Sequence, residues 1–499
     1  MNQRGSGLLL HVSSLHTPFG IGDMGPSARA FADFLHEAGQ RFWQILPLNP
    51  TDPDFDNSPY RSLSAFAFSP LLISLDVLVE EGLLDAEDIA RPPRFPKGLV
   101  DYEKVAAYKW PLLDKAFSRF VPSPDFQAFC TDHAHWLEDY ALFVAFRSHF
   151  GDRPWTDWPA PVRDRDPAAL APLRESLATE IQKIRVVQYL FLRQWRALKD
   201  YCASLGIQII GDIPIYVAMD SVDVWTHPEI FKLDAEKRPL MVSGVPPDYF
   251  SETGQLWGNP VYRWDVMQKD GYGWWLERIG HNLRLFDIVR IDHFRGFVAF
   301  WEVPAGEPTA INGAWIEAPA EDFIQTLQQA FSPLPIIAED LGLITPDVVE
   351  IMRTFNLPGM RVLQFAFSGD PVTNEHLPHN LKAHSFLFTG THDNNTTRGW
   401  YTHDATDEER RNLAAYLGKR PRPSNVHWTF IRLALASVAN TVVIPVQDIL
   451  GLGQRHRMNM PSLNQGNWKW RIPSPNRLGK GLSLRLASLS QVYGRRRHS

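Results

Sequence analysis

The chain has 499 residues, 44% of them hydrophobic and 21% charged, a composition that excludes a disordered polymer and allows a large core. Its 50 Lys and Arg against 56 Asp and Glu give a formal net charge of -6, which leaves no basic field for a nucleic-acid backbone; Arg495, Arg496 and Arg497 read as a solvated tail. Cys130 and Cys202 match no metal or redox spacing and favour a reducing, cytoplasmic setting, and no apolar run approaches the roughly 18 residues of a membrane span or forms a signal segment.

In chain order, short runs rich in Val, Ile, Leu and Phe end in polar residues: "GLLLHVSS" (7–14), "RFWQILPL" (41–48), "IQIIGDIPIYV" (207–217) and "FDIVRIDHF" (286–294). "PIIAEDLG" (335–342), "MRVLQFAF" (360–367), "SFLFTGTHDNN" (385–395) and "VVIPVQD" (442–448) complete the series. Continuous rather than alternating hydrophobicity marks strands covered on both faces, as parallel sheets require. Helical patterns lie between them, such as "SARAFADFLHEAG" (27–39), closed by Gly39, and "TPDVVEIMRTF" (345–355), with Thr345 as cap and Pro346 at the first helical position. Eight strand–helix repeats predict an α/β fold of the (β/α)8 TIM-barrel type.

The gaps from Leu48 to Ile207 and from Val217 to Phe286 are too long for one crossover. The barrel is therefore discontinuous, about 1–50, 200–217 and 285–499. Residues 51–199 form a largely helical insertion, carrying "WLEDYALFVAFRSHF" (136–150) and "IQKIRVVQYLFLRQWRALKDYCASLG" (181–206). Residues 218–284 form a loop-rich one with "SGVPPDYFSETGQLWGNP" (243–260), a stretch of Gly, Pro and aromatics suited to binding. Among 17 tryptophans and 30 phenylalanines most are core, while a few can stack on the C–H face of a sugar.

In such a barrel the residues at the carboxyl ends of the strands converge on one mouth. Here they include Asp212, Arg290, Asp292, His293, Glu339, Asp340, His392, Asp393, Gln447 and Asp448. The fourth, fifth and seventh strands bring Asp292, Glu339 and Asp393 to the same rim, where facing carboxylates perturb one another. Two carboxyl groups flanking a sugar bond are what retaining glycoside chemistry needs, and a third stabilises charge on the ring. Asp292 fits the nucleophile, with the Arg290 guanidinium favouring its charged form, and Glu339, behind the apolar "PIIA", fits the acid. "GIGDMG" (20–25) has dinucleotide-loop spacing, but "SSLHTPF" separates it from its strand. No P-loop, H-E-x-x-H or EF-hand loop occurs, His392 and His293 lack a repeated His-x-His or His-x-x-x-His spacing for metal, and no lysine closes a strand for Schiff-base chemistry.

"VRIDHFRGF", "IIAEDLG" and "FTGTHDNNTT" resemble the catalytic blocks of the 4-α-glucanotransferases (amylomaltases, or disproportionating enzymes), family 77 of the glycoside hydrolases in the α-amylase superfamily. Supporting blocks such as "DNSPYRSLSAFAFSPLLISL", "GVPPDYFSETGQLWGNPVYRWD" and "RMNMPSLNQGNWKWR" extend the resemblance over nearly the full chain. It implies Asp292 as nucleophile, Glu339 as general acid/base and Asp393 as the carboxylate holding hydroxyls of the transferred sugar. It also implies substrate contacts at Tyr60, Asp212, Arg290, His392 and Asn459, and an aromatic loop over the acceptor side with Tyr249, Phe250 and Trp257. Ser69, Ser74 and Asn395 depart from the expected Asn, Asp and Asp. The implied activity is retaining transfer of α-1,4-glucan segments between maltodextrins, amylose or glucose, by disproportionation or cyclisation, without metal or cofactor. A monomer is compatible with it, and neither an all-β C-terminal domain nor an extended N-terminal arm is expected.

Overall fold

All eight apolar runs form strands in the computed structural model, which describes residues 4–247, 251–461 and 463–496. The strands are Gly5–Leu9, Phe42–Gln44, Gln208–Ile213, Ile288–Ile291, Ile336–Ala338, Gly359–Val362, Ser385–Phe388 and Thr441–Pro445. They pair in parallel in chain order and close into a barrel, the first strand against the eighth with Gly5 opposite Thr441. The architecture is the expected (β/α)8 barrel with insertions.

The two-residue period of a strand sorts its side chains into two layers. Phe42, Ile210, Ile288, Ile337, Met360 and Phe388 belong to one small buried cluster, the plug inside the barrel. Their neighbours Trp43, Ile209, Val289, Ile336 and Leu387 belong to the main core beneath the helices. Two residues beyond Ile210, Ile288 and Ile337 on the inner face come Asp212, Arg290 and Glu339, and two beyond Arg290 comes Asp292.

The stretch after the second strand is helical, with Tyr102–Arg119, Pro124–Asp132, Ala134–His149 and the 27-residue Ala178–Ser204. This last helix packs on the first of them, on Ala134–His149, on the barrel helix Pro26–Glu37 and on the third strand, so it ties the insertion to the barrel. Burying one apolar face on each side requires hydrophobic residues nearly all round, as in its "VVQYLFL" segment. Gly39 and Gly206 follow two of these helices at φ of 67° and 73°, the left-handed exit that glycine allows. Thr345 holds the N-cap position of Pro346–Thr354 but makes no side-chain cap bond; Pro346 at the first turn sets the start instead.

One element lies outside the sequence expectation. The "SGVPPDYFSETGQLWGNP" stretch is not only loop: Met241–Val245 and Gln255–Pro260 pair antiparallel, and Ala299–Pro304 and Ala314–Glu317, from the connection after the fourth barrel strand, complete a four-stranded sheet. Trp301 and Trp315 face each other across it at 5.4 Å between ring centroids.

The C-terminal basic cluster is a correction. Arg495 is fully buried rather than a solvated tail residue, because the backbone there presents more carbonyl oxygens than donors; Arg496 is exposed and Arg497 lies outside the described residues. Among the described residues no helix is long and apolar enough to cross a membrane. Both cysteines are free thiols.

Candidate active site at the carboxyl mouth of the barrel

Parallel pairing sets the levels of the polar residues. Asp212 lies in register with Arg290, and Ile291 with Ala338, so Asp292 and Glu339 leave adjacent strands at the same height, roughly 4.8 Å apart along the backbone direction that joins strands. Arg290 is 3% exposed and its charge is fully met. Nη1 donates to both Asp212 oxygens at 2.8 Å, Nη2 donates to Asp292 Oδ1 at 2.7 Å, and Nε lies 3.3 Å from the Met360 sulfur. The Tyr60 hydroxyl donates to Asp212 Oδ2 at 2.8 Å. Burying this guanidinium with its carboxylates is costly, burial raising the Asp212 carboxyl above its ordinary value against the opposing Arg290 charge, and it is tolerated because each group keeps its hydrogen bonds.

Glu339 is held differently. Its oxygens accept from backbone N–H groups, Oε2 from His293 at 2.7 Å and Oε1 from Leu341 at 2.9 Å. Burial pushes its pKa up to about 8, the Asp292 charge adds to the rise, and Arg290 with the two N–H donors opposes it. His293 supplies its N–H from a left-handed backbone, φ 51° and ψ 49°, a conformation sparsely used by residues other than glycine. Its ring meets Trp257 edge-on at 4.7 Å.

Asp393 lies on the turn after the seventh strand. Asn459 Nδ2 donates to its Oδ1 at 2.6 Å, and His392 Nε2 stands 3.2 Å from Oδ2. Burial alone would raise this carboxyl, but the His392 charge and hydrogen bond and the Asn459 amide outweigh it and hold the pKa at about 2. In return, burial would lower His392, and the charge of Asp393 carries it above its ordinary value. The Tyr60 ring stacks on His392 at 5.1 Å and 15°.

The structure thus brings Asp292, Glu339, Asp393, Tyr60, Asp212, Arg290, His392 and Asn459 together, with Trp257 at the rim on the added sheet. Tyr249 and Phe250 lie outside the described residues. Two strand-end candidates do not join the site. Asp340, just past the strand, has its own partners instead, binding Arg361 at 2.7 Å and the Met360 N–H at 2.6 Å. Asp448 accepts from Thr389, from the Thr397 hydroxyl and from the Thr397 N–H, which makes it a brace between loops. Sequence reading missed Trp468, 5.5 Å from Tyr60, and Arg457, whose Nη2 donates to the Asp393 carbonyl at 2.9 Å. Both lie in the block "RMNMPSLNQGNWKWR", Trp468 in its aromatic run "NWKW" and Arg457 two residues before Asn459, a signal that could have found them.

Acids on neighbouring strands, one paired with a guanidinium and one kept protonated, at the carboxyl mouth of a (β/α)8 barrel define an enzyme of the glycoside-hydrolase kind. The family model described as 4-alpha-glucanotransferase, glycoside hydrolase family 77, matches residues 10–476. The 4-alpha-glucanotransferase of Thermus thermophilus is 49% identical over 99% of both chains, and the chloroplastic/amyloplastic 4-alpha-glucanotransferase of Solanum tuberosum is 44% identical over 99% of this chain and 87% of that one. The solved structure of amylomaltase from Streptococcus agalactiae in complex with acarbose superposes with a TM-score of 0.95 at 38% identity, covering 99% of this chain and all of that one. The chain belongs to the 4-alpha-glucanotransferase family.

Proposed function

We propose that the chain is a retaining 4-α-glucanotransferase. Asp292 attacks the anomeric carbon of a donor α-1,4-glucan while Glu339 gives its proton to the departing oxygen, so the bond to the reducing-end fragment breaks as a glycosyl ester forms. The 4-hydroxyl of glucose or of a second glucan then attacks the ester, its proton passes to Glu339, and Asp292 is freed. One α-1,4 bond is broken and one is made. Asp393, held by His392 and Asn459, takes hydroxyls of the transferred sugar. Tyr60, Asp212, Arg290 and His392 surround the same sugar, and Trp257 covers the acceptor side, where excluding water favours transfer over hydrolysis.

The observation that carries this reading is the contrast between neighbours: Asp292 bonded to a guanidinium, Glu339 held at a pKa of about 8 by burial and by Asp292 itself. This division of roles within one pair of carboxyls is what double displacement requires. The barrel segments about 1–50, 200–217 and 285–499 supply the chemistry, 51–199 buttresses it and carries Tyr60 into the site, and 218–284 shapes the acceptor side. The two free thiols support a reducing, cytoplasmic setting. Incubation with maltotriose tests the activity: glucose and longer maltodextrins appear while the number of reducing ends stays constant. A rise in reducing ends matching the bonds cleaved makes the enzyme a hydrolase instead.

A further inference from the structure

Behind the His392–Asp393 pair, three buried side-chain atoms have no hydrogen-bond partner: His392 Nδ1, Asn395 Oδ1 and Gln447 Oε1. Their residues are 4%, 4% and 6% exposed, and all three line one small cavity, with Leu9, Pro445 and Arg457 among its other walls. The cavity is about 10 Å³, on the order of the 10–15 Å³ that one water molecule needs, and such a water needs two to four polar partners. The amide orientations are set from outside. Asn395 Nδ2 donates to Asp404 at 2.9 Å, and Gln447 Nε2 points at the His456 carbonyl at 3.4 Å, so both oxygens are the atoms left over.

The donor and acceptor count distinguishes the two states of the histidine. Nε2 of His392 must carry a proton to donate to Asp393. With a second proton on Nδ1, that N–H donates to the water, and the water donates one hydrogen to each amide oxygen; every atom is satisfied. With Nδ1 bare, the water spends one hydrogen on it and one amide oxygen stays unpaired, a costly state for a buried acceptor. We propose that this cavity is a one-water site through which Gln447 and Asn395 hold His392 as an imidazolium, making Gln447 a positioning residue for the His392–Asp393 pair. The consequence for sugar binding rests on the function proposed above; the water site itself does not.

The other groups around His392 are accounted for. Asp393 and Asp212 favour its charge, and Arg290 opposes it. His11, on the first-strand side, is itself kept from charging by burial and, to a lesser degree, by His392. Tyr60 and Trp468 cover the ring. On the cavity side Arg457 is the cation, and the Asp404 carboxylate is engaged by Asn395 and Arg457. Gln447 is therefore the place where the balance can be moved without touching the mouth.

The test is a pH titration of the full-length protein labelled with ¹³C-histidine, the His392 signal being assigned by its loss in His392→Gln. Gln447→Leu removes an acceptor of the water and is expected to move the His392 midpoint down by about one pH unit; Gln447→Glu puts a carboxylate in the same place and moves it up. Gln447→Met, close in volume, stands in should the leucine variant fail to fold. Shifts of the same sign in both variants, or no shift in either, overturn the proposal. So does an upward shift in Gln447→Leu, the sign expected if the cavity holds a metal cation. Maltotriose turnover is measured on the same samples, so a failure of the transferase reading shows there and leaves the titration standing.

Discussion

Glu339 and Asp292 each lie one residue beyond the matched pair Ala338–Ile291, yet their surroundings differ: a guanidinium meets Asp292 and two backbone N–H groups meet Glu339. The proposed mechanism gives them different roles. With its pKa near 8, Glu339 keeps its proton through neutral pH and loses it above, so cleavage of the donor bond should hold below about pH 8 and decline with an alkaline limb centred there. Glu339→Gln is expected to lower turnover by about 10²–10⁴-fold and to erase that limb. A maltosyl fluoride donor, whose leaving group needs no proton, should restore formation of the ester in this variant. An alkaline limb that persists in Glu339→Gln assigns the titration to another group. Asp292→Asn removes the attacking oxygen's charge and should cost at least about 10³-fold in transfer, read as glucose release from maltotriose; near wild-type transfer would rule Asp292 out as nucleophile. The departure at Asn395 also acquires a meaning at this scale, since an amide there donates to Asp404 where a carboxylate would repel it.

Between elements, the joint of the two insertions holds a set of histidines. His281, on Gly273–Leu285, stacks on Phe68 at 5.6 Å and meets Phe66 and Trp136 edge-on at 5.4 and 5.8 Å. Burial drives its pKa well below the ordinary value near 6.5, and drives His133, on the next turn of chain before Ala134–His149, down to about 4, with Arg196 and Arg284 adding to the latter. The folded state therefore keeps both rings neutral where the unfolded chain protonates them. Between about pH 6.5 and 4 the unfolded state binds more protons, so stability falls as pH falls through that window and is unaffected by these groups above it. Urea unfolding at a series of pH values should show this loss, and His281→Leu should show a shallower dependence on pH whatever its absolute stability. An unchanged slope places the acid sensitivity elsewhere.

Across the whole molecule, the chain's two ends meet through Arg495. Its Nε donates to the Leu435 carbonyl at 2.7 Å, Nη1 to Gly5 and Asn440 at 3.0 and 3.2 Å, and Nη2 to Ser437 and Ala439 at 3.0 and 2.9 Å. These carbonyls belong to the end of helix Val426–Ala436, to the lead into the eighth strand and to the start of the first, the seam where the barrel closes. Arg495→Ala strands several buried acceptors and should cost about 2–4 kcal/mol, read as a lowered denaturant midpoint. Arg495→Lys should recover little, because an ammonium cannot span acceptors that a planar fork reaches. The seam is at the amino end of the strands, opposite the mouth, so kcat/KM of the folded fraction should stay at the wild-type value; a fall in both together would mean the two ends of the barrel are coupled.

Local pattern by itself determined the eight strands, the helical insertion and the acids at the strand ends, because strand length, apolar continuity and the polar stop are properties of a few consecutive residues. Only the tertiary structure decided which strand-end acids face the mouth: Glu339 and Asp340 are adjacent in sequence and equally acidic, but the fold past the fifth strand sets one at the mouth and the other onto Arg361. The same holds for the Tyr60–Asp212–Arg290–Asp292 chain, for the sheet built from segments on either side of the fourth strand, and for Arg495, whose acceptors lie up to 490 positions away. Burial and partnership at such separations depend on how elements pack, and no window along the chain contains that information.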